Sequence, residues 1–526
     1  MKDSSTPPSR ARDLPPVRAR PGALALRLAL LATVATLLLG APPARAADSA
    51  DSADSAHEGV SLAVEPIFGV DLAASSGWTD LIVRVAAPAG RPLRGELRAT
   101  SGGSAPGAVT LPVEVDARGT AQVLLPARCL GGELVVTLTD ERGVVIATRR
   151  VLTRPRSSPA LLVWSDTRLA SELRGDEIPG RYAPSDDMKL RVGRVERDPR
   201  TAAAIAPDSA TAYGQVDVVL MRAEELSALG ATPLAALTTW VLGGGTLAVV
   251  PGAADQLTEA PFAALLGGPT RRATSDDGRA RFGGGNLRDT ALGAVASYGL
   301  GEVHVLDFDP LSLGGAHDAW AQARVRELVS RAFERRDLRA FPSHAMVGRD
   351  PDGAVLRALD PNQTYRGALA LAALVLTAYA VLAGPFIHLR ARRRRRPLDP
   401  LVHAPLLSAG AFALIVVIGL SSKGFGGRAR RVTLVESGAG VTRGTGVTYR
   451  GFFTSHITHL AVPSASAGGR LARVNRYDGA SLDQYAVSPG GVQLTDLTVR
   501  PWRTVVVQES GLTYDLQGGV SMRRVA

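Results

Sequence analysis

The sequence predicts a multi-domain α+β protein with an N-terminal β-sandwich, an α/β domain, two transmembrane helices and a C-terminal β-rich domain. Three observations carry this prediction. Short strand-like runs follow one another over residues 59–156, and strands alternate with helices over residues 157–340. Two apolar runs without Asp, Glu, Lys or Arg then occupy residues 367–388 and 404–420. Each pattern is typical of one of the predicted architectures.

Residues 59–156 have the pattern of an antiparallel β-sandwich. The runs TDLIVRVAA, GTAQVLLPA, GELVVTLTD and GVVIATRRV alternate or stay apolar over short stretches, and Gly, Pro and Asp separate them. Short strands with turns at such close spacing are typical of all-β domains built from two packed sheets.

Residues 157–340 change to an alternation of strands and helices. ALLVWSD, VDVVLM, TLAVVPG and GEVHVLDFDP are short apolar strands, whereas PLAALTTWVLGGG and DAWAQARVRELVSRAFER have helical patterns. This alternation predicts a mostly parallel sheet with helices on both of its faces.

The charge of the chain is concentrated in two short segments. The formal net charge is +11, and residues 1–27 and 388–403 carry most of it. The remaining chain is nearly neutral, whereas a nucleic-acid-binding domain needs a basic face of its own. We therefore expect no nucleic-acid partner. The single cysteine, Cys129, can form no internal disulfide and fits no zinc-ligand spacing, so we expect it to be a buried structural residue.

The N-terminus has the three parts of a secretory signal peptide. A basic segment ends at Arg27, an apolar run follows, and Ala44 and Ala46 supply the small residues of a cleavage site. We predict a signal peptide over residues 1–46, with an uncleaved anchor as the alternative. The polar repeat at residues 47–58 is predicted to be a disordered linker.

Two transmembrane helices are predicted at residues 367–388 and 404–420, because each run is close to the about 20 residues that cross a bilayer. A buried helix of a soluble domain is the alternative for the second run. We interpret the basic loop between them, residues 389–403, as cytoplasmic and topogenic, with a secondary role in binding anionic lipid headgroups. Its arginines are Arg390, Arg392, Arg393, Arg394, Arg395 and Arg396.

A juxtamembrane segment at residues 341–366 and a β-rich domain at residues 421–526 complete the organisation. RVTLVES, GVTYRGFFTS and RTVVVQES are the strand-like runs of that last domain. Four basic residues just after the second apolar run favour a cytoplasmic C-terminus: Lys423, Arg428, Arg430 and Arg431. The larger arginine cluster of the loop outweighs them, so we expect the C-terminal domain to be exported.

The succession VDVVLMRAEELSAL, LTTWVLGGGTLAVV and GLGEVHVLDFDP resembles the class I glutamine amidotransferase-like fold, which is flavodoxin-like. More narrowly, the chain resembles a group of bacterial exported membrane proteins, in which such a domain follows a β-sandwich and precedes transmembrane helices. YAVLAGPFIHLRARRRR resembles the membrane entry of that group, and VTYRGFFTS resembles the start of its C-terminal β-domain. The resemblance covers about residues 60–526.

The resemblance implies a catalytically degenerate domain. Class I amidotransferases use a cysteine on the tight turn between a strand and a helix, and a histidine with a carboxylate behind it activates that cysteine. The corresponding turn here is PGAAD, residues 251–255, which contains no Cys, Ser or Thr. Without a nucleophile covalent acyl transfer has no starting point, so we expect no enzymatic activity and no catalytic residue.

Two pairs of residues are weaker candidates for ligand binding. Asp307 and Asp309 lie at the predicted carboxyl end of a strand, where α/β folds place ligands, and paired acids there could bind a cation. The alternative is a strand-end cap and turn. His456 and His459 are three residues apart, which in a strand places them on opposite faces. We therefore expect no bound metal and no cofactor.

The sequence thus predicts a non-catalytic protein of the bacterial inner (cytoplasmic) membrane, with the bulk of the chain outside the cytoplasm. We expect the exported domains to bind or assemble with other envelope or membrane proteins, and the helices to contact the lipid bilayer. One alternative is an accessory subunit of a membrane transport complex such as an ABC-type exporter. Another is a hydrolase-like enzyme of unknown type that uses the strand-end acids.

Overall fold

Strands outnumber helices in the part of the chain that the computed structural model describes. All of this part belongs to one compact unit, Asp54–Ala526. The described part does not include the predicted signal peptide with its cleavage-site residues Ala44 and Ala46, the predicted linker or Arg396. The described residues are 59–69, 77–90, 92–102, 107–129, 132–153, 158–164, 167–178, 189–252, 256–274, 280–345, 351–360, 366–395, 398–423, 427–474 and 482–518.

Seven strands form where the first region has short apolar runs. They are β1 Ser61–Pro66, β2 Gly77–Ala86, β3 Leu93–Ser101, β4 Gly107–Val115, β5 Thr120–Cys129, β6 Glu133–Asp140 and β7 Val145–Leu152. The four predicted strands are confirmed as β2, β5, β6 and β7. Strands β1, β2 and β5 form an antiparallel three-stranded sheet.

The other four strands of this region join three strands from the C-terminal region in one seven-stranded sheet. The added strands are β19 Thr458–Pro463, β21 Asp483–Ser488 and β22 Gly491–Val499. The sheet has the order β19-β22-β21-β4-β3-β6-β7. Strands β21 and β4 pair in parallel, from Asp483 opposite Gly107 to Ala486 opposite Thr110. Segments 59–156 and 421–526 therefore share one hydrogen-bonded sheet.

The three-stranded and seven-stranded sheets also share a core. Leu81 from β2, Leu97 from β3, Val136 from β6 and Leu494 from β22 are all fully buried in it. Burial of apolar surface contributes about 25 cal/mol per Å². The C-terminal strands are thus attached to the N-terminal ones by apolar packing as well as by backbone hydrogen bonds.

The middle region forms a second seven-stranded sheet with the order β14-β15-β16-β11-β10-β8-β9. Strands β8, β9, β10, β11 and β16 are parallel to one another, which confirms the predicted mostly parallel sheet. The other two strands are antiparallel and lie at one edge, and β12 and β13 form a separate hairpin. The bounds are β8 Ala160–Val163, β9 Arg191–Arg194, β10 Val218–Arg222, β11 Thr246–Val250, β12 Thr270–Thr274, β13 Ala280–Gly284, β14 Arg288–Thr290, β15 Gly293–Tyr298 and β16 Gly301–Leu306.

Helices cover both faces of the parallel sheet, as predicted. Successive side chains of a strand point to opposite faces, so Val219 belongs to one core and Val218 to the other. Helices α3 and α4 pack into the first core, and α1 and α6 into the second. The helix bounds are α1 Thr167–Leu173, α2 Ala223–Ser227, α3 Ala231–Leu242, α4 Ala260–Leu266, α5 Leu313–His317 and α6 Ala319–Ala345. The parallel strands follow the order of doubly wound folds.

The remaining C-terminal strands form an antiparallel four-stranded sheet with the order β17-β18-β23-β20. Its strands are β17 Arg428–Glu436, β18 Arg443–Phe453, β20 Arg470–Arg473 and β23 Thr504–Asp515, which confirms the three predicted strand-like runs. Helix α7, Pro351–Leu359, lies within the predicted juxtamembrane segment and packs against this sheet through Leu359.

The two apolar runs form helices that are long and apolar enough to cross a membrane, Gly367–Arg393 and Pro400–Gly419. The first consists of α8 Arg366–Val381, a π-helical turn Leu382–Phe386 that contains Pro385, and α9 Ile387–Arg393. The second is α10, Asp399–Lys423. The apolar windows of both helices have no buried residues.

Much of the predicted basic loop at residues 389–403 is helical in the structure. Helix α9 continues to Arg393, so Arg390, Arg392 and Arg393 are helical, and only residues 394–398 separate α9 from α10. Arginine has a high helix propensity, and the negative end of the helix dipole favours cations in the last turn. These two effects explain why the helix extends into the basic run.

Candidate functional site

The carboxyl edge of the parallel sheet brings one of the two predicted acids, Asp309, next to Arg222, the last residue of β10. Arg222 Nη1 lies 3.1 Å from Asp309 Oδ2. Asp309 Oδ1 also accepts the backbone N–H of Leu311 at 2.9 Å, so this carboxylate closes the turn after β16. Asp307 differs, because its buried Oδ1 has no hydrogen-bond partner in the described part of the chain. One of the two acids is thus already neutralised by an ion pair.

The turn after β11 lies at the same edge of the sheet. Gly252 N–H donates to Gln256 Oε1 at 3.0 Å, and Gln256 Nε2 donates to Glu224 Oε1 at 2.8 Å. The hydrogen bond from Gln256 lowers the pKa of Glu224. Residues 253–255 of the turn lie outside the described residues. The edge offers carboxylates and a guanidinium group, while the turn sequence supplies no nucleophilic side chain.

A second group of charged residues lies where the C-terminal strands meet the N-terminal ones. We name Asp80, Arg128, Arg470 and Asp483 the junction cluster, and each of them is buried. Arg470 Nη2 lies 3.5 Å from Asp80 Oδ1, and Arg128 Nη1 lies 3.5 Å from Asp483 Oδ2. Each pair joins a residue before the apolar helices to one after them. Because an unpaired buried charge is costly, the pairs favour this one arrangement of the two segments.

The junction cluster retains buried polar groups with unused hydrogen-bonding capacity. Burial raises the pKa of the Asp80 carboxyl, and the neighbouring Arg470 guanidinium only partly offsets that effect. Among the described residues, neither Arg470 Nε nor the hydroxyl of the fully buried Tyr213 has a hydrogen-bond partner. Burial also raises the pKa of Tyr213. An unsatisfied buried polar group costs about 1–3 kcal/mol, which the surrounding apolar packing must offset.

Two cavities share Asp208 in their walls, and the smaller of them opens at the junction cluster. The larger has a volume of about 470 Å³ and lies between α3 and the C-terminal strands, where Ala, Gly, Ser and Thr form most of its wall. The smaller, about 210 Å³, is lined by Asp80, Asp208 and Arg470. Partial burial raises the pKa of Asp208, which contributes to both walls. The larger cavity falls within the about 300–1,000 Å³ of typical ligand pockets, but its wall has few charged groups to orient a ligand.

The cysteine and the two histidines considered in the sequence analysis do not belong to the parallel sheet with Asp307 and Asp309 at its carboxyl edge. Cys129 ends β5 and is buried as expected, and burial raises the pKa of its thiol to about 12. His456 precedes β19, whereas His459 lies in it with its Nδ1 2.7 Å from Asp496 Oδ1. No group of three or more His, Cys, Asp or Glu residues within the described ranges could hold a metal ion.

The arginines interpreted as topogenic lie at one end of the apolar helices. Arg390 and Arg392 to Arg395 are exposed, and Arg394 and Arg395 form the turn after α9. Their charge is therefore available to solvent or to lipid headgroups.

Sequence reasoning missed the junction cluster. A signal was present in Asp80, which interrupts the apolar strand TDLIVRVAA at a position that proves to be buried. Its partner Arg470 lies beyond both apolar helices, so no local pattern indicated the pairing.

Comparison with known proteins assigns no role to the strand-end acids or to the junction cluster. No protein-family model matches the chain, and the search of curated proteins found no relative.

Proposed function

We propose that the chain is a non-catalytic, membrane-anchored binding and assembly protein of the bacterial cytoplasmic membrane, with its folded body outside the cytoplasm. One observation carries the proposal: the two apolar helices interrupt a body whose preceding and following strands share a sheet. The finer assignments belong to the same proposal. They are a β-sandwich formed by the two N-terminal sheets and a catalytically degenerate amidotransferase-like domain formed by the α/β region.

The exposed apolar surface of the two helices supports a membrane anchor. Leu369, Leu374, Leu406 and Phe412 are among the most exposed large apolar residues of the protein. Soluble monomers rarely expose contiguous apolar patches of this kind. Helices α8 and α10 also contact each other, as two neighbouring spans joined by a short turn would.

The pairing of β4 with β21 supports two crossings rather than one. A bilayer cannot pass between hydrogen-bonded strands, so the segments before α8 and after α10 must lie on the same side of any membrane that the helices span. Two long-range hydrogen bonds add to this argument. Trp78 Nε1 donates to the Leu471 carbonyl at 3.1 Å, and Ser209 Oγ donates to the Gly468 carbonyl at 2.6 Å.

The same pairing bears on the basic residues after the second span, which by their charge favour a cytoplasmic C-terminus. Arg428, Arg430 and Arg431 belong to β17, which is paired with β18 along its whole length. These three arginines must therefore lie on the same side of the membrane as the folded body. The exposed arginines at the end of α9 are then the positive charges that hold the connecting turn in the cytoplasm.

The strand-end geometry supports a binding rather than a catalytic role. Asp309 is engaged by Arg222 and by a backbone N–H, and the turn sequence PGAAD lacks a nucleophile. The junction cluster in turn consists of ion pairs that join chain segments. Both features suit a rigid body that presents surfaces to other envelope proteins.

Single-cysteine labelling in intact cells tests the topology. Leu152 before the helices, Ile457 after them and Leu398 in the turn between them are 68%, 62% and 70% exposed, while the native Cys129 is buried. A membrane-impermeant maleimide should label Leu152→Cys and Ile457→Cys in intact cells, and Leu398→Cys only after permeabilisation. Labelling of Leu152→Cys with protection of Ile457→Cys would refute two crossings.

The binding role is tested by crosslinking the intact protein in its membrane and identifying the neighbours by mass spectrometry. A photo-crosslinking residue at Leu152 or Ile457 should capture a recurrent envelope or membrane protein, and the same residue at the buried Leu97 should not. Capture of the same proteins from all three positions would contradict a specific binding surface.

A further inference from the structure

Strand β17 leaves one long edge open. It pairs with β18 over nine residues, from Arg428 opposite Phe453 to Glu436 opposite Thr445. In the sheet as described, no strand pairs with its other edge. Leu434 and Val435 near its end are 48% and 39% exposed. An exposed edge strand of this length presents unpaired backbone N–H and C=O groups that can accept a further strand.

Strand β17 contacts the body on both faces while most of its residues stay exposed, so the edge is a preformed template. On one face Val432 packs with Leu359 of α7 and with Tyr449 of β18. On the other face the hydroxyl of Thr433 lies 3.0 Å from that of Thr448. The strand therefore needs no rearrangement before it pairs.

We propose that β17 is a homodimer interface, in which it pairs antiparallel with β17 of a second copy and Thr433 lies on the twofold axis. In this register Arg430 lies opposite the partner's Glu436, and Val432 lies opposite the partner's Leu434. Opposite charges, apolar pairs and Thr–Thr pairs that lie directly opposite each other all stabilise antiparallel strands. The segment Arg430 to Glu436 is thus complementary to itself, as a twofold interface requires.

Neighbouring registers lose this complementarity. A twofold axis at Val432 places Arg431 diagonally across from the same residue of the partner, and like charges at close range oppose pairing. An axis at Leu434 removes the pair between Arg430 and the partner's Glu436. A shift of one residue also changes every cross-strand pair, so the register with Thr433 at the centre is specific.

The charges favour a second copy over an unrelated strand. With Thr433 on the axis, Arg430 lies opposite Glu436 of the second copy and Arg431 lies opposite its Val435, so no like charges face each other. An acidic extended segment of another protein is the competing occupant, and it would leave Glu436 facing a like charge. The pairing does not depend on whether the apolar helices cross a membrane, so it can fail without affecting the proposed function.

Cysteine crosslinking of the full chain in detergent tests the register. Thr433→Cys should form a disulfide-linked dimer under mild oxidation, because two cysteines on the axis meet at disulfide distance. Val435→Cys on the same face is the matched control. Its counterpart in the partner lies about 13 Å away along the strand, so the control should stay monomeric. Equal crosslinking of the two variants, or none in either, overturns the proposal.

A charge exchange provides a second test without cysteine chemistry. Glu436→Arg should raise the dissociation constant of the dimer at least about tenfold, since two ion pairs become repulsive. Adding Arg430→Glu to the same chain should restore the dimer, as measured by light scattering over a range of protein concentrations. An unchanged dissociation constant for Glu436→Arg, or a monomeric wild type at all concentrations, refutes the interface.

Discussion

Replacing Asp80 by asparagine should loosen the junction between the segments before and after the apolar helices. The substitution removes the charge that faces Arg470 and keeps the shape of the side chain. Both residues are almost fully buried. Because arginine stays protonated in proteins, Asp80→Asn leaves a buried cation that still donates to the backbone carbonyls of Ala467 and Gly469. The partly buried Asp208 then remains as a neighbouring negative charge.

The size of the effect follows from burial. Removing one partner of a buried ion pair typically costs about 3–5 kcal/mol. The 3.5 Å separation of Arg470 Nη2 from Asp80 Oδ1 and the raised pKa of Asp80 favour the lower end, about 3 kcal/mol. The reverse change, Arg470→Met, should cost less, since a carboxyl group with a raised pKa can take up a proton and become neutral.

The reactivity of Cys129 reports the opening of the junction. This buried thiol, whose pKa is raised to about 12, lies opposite Gly77 in the pairing of β5 with β2, the strand that carries Asp80. A thiol reagent can modify it only when these strands separate. A loss of 3 kcal/mol should accelerate modification about 100-fold, because each 1.36 kcal/mol is a factor of ten.

A surface ion pair supplies the matched control. Arg94 and Glu114 lie 2.9 Å apart, closer than the buried pair, but both side chains are about two-thirds exposed. Glu114→Gln should change the modification rate less than about fivefold. The reasoning is refuted if Asp80→Asn changes the rate no more than this control, or if Arg470→Met changes it more than Asp80→Asn does.

Three further predictions concern other parts of the body. Burial would raise the pKa of Glu302, but His304 and a neighbouring arginine lower it below its usual 4.5. Glu302→Gln should therefore lower the melting temperature above pH 4.5, and the difference from wild type should vanish as the pH falls through the lowered pKa; a difference that grows in acid contradicts this. Gly301→Ala should lower the free energy of unfolding by about 3 kcal/mol, because a Cβ there would lie 2.0 Å from the Val241 carbonyl oxygen. The control Gly132→Ala, whose Cβ meets nothing within 4 Å, should leave the melting temperature unchanged. Trp78→Phe removes the hydrogen bond to the Leu471 carbonyl and should lower the free energy of unfolding by about 1–2 kcal/mol. The modification of Cys129 should then be about tenfold faster. An unchanged rate would show that this hydrogen bond does not couple the segments before and after the apolar helices.

Local patterns predicted about half of the described strands and the two long apolar helices of this protein. The runs TDLIVRVAA and GELVVTLTD became β2 and β6, and the helical run PLAALTTWVL became most of α3. Alternating strands and helices also gave the parallel sheet, because a right-handed strand–helix–strand crossover has few ways to bury its apolar faces. The two apolar helices were found by length and composition alone.

The candidate site was predicted less well. The sequence located Asp307 and Asp309 at a strand end, but Arg222, which neutralises Asp309, comes from a different strand. The first residues of the predicted arginine loop are helical, since helix propensity extends α9 into the basic run.

The sequence by itself determined about half of the strands, the near-neutral body and the two apolar helices, because propensity, periodicity and charge are local properties of the chain. Only the tertiary structure decided that β21 pairs with β4, that Arg470 meets Asp80, and that β17 keeps an open edge. Strand pairing and buried charge pairing are satisfied equally well by many candidate partners in the sequence. Packing of the whole body selects among them, since a wrong partner would leave apolar faces exposed and buried charges unpaired.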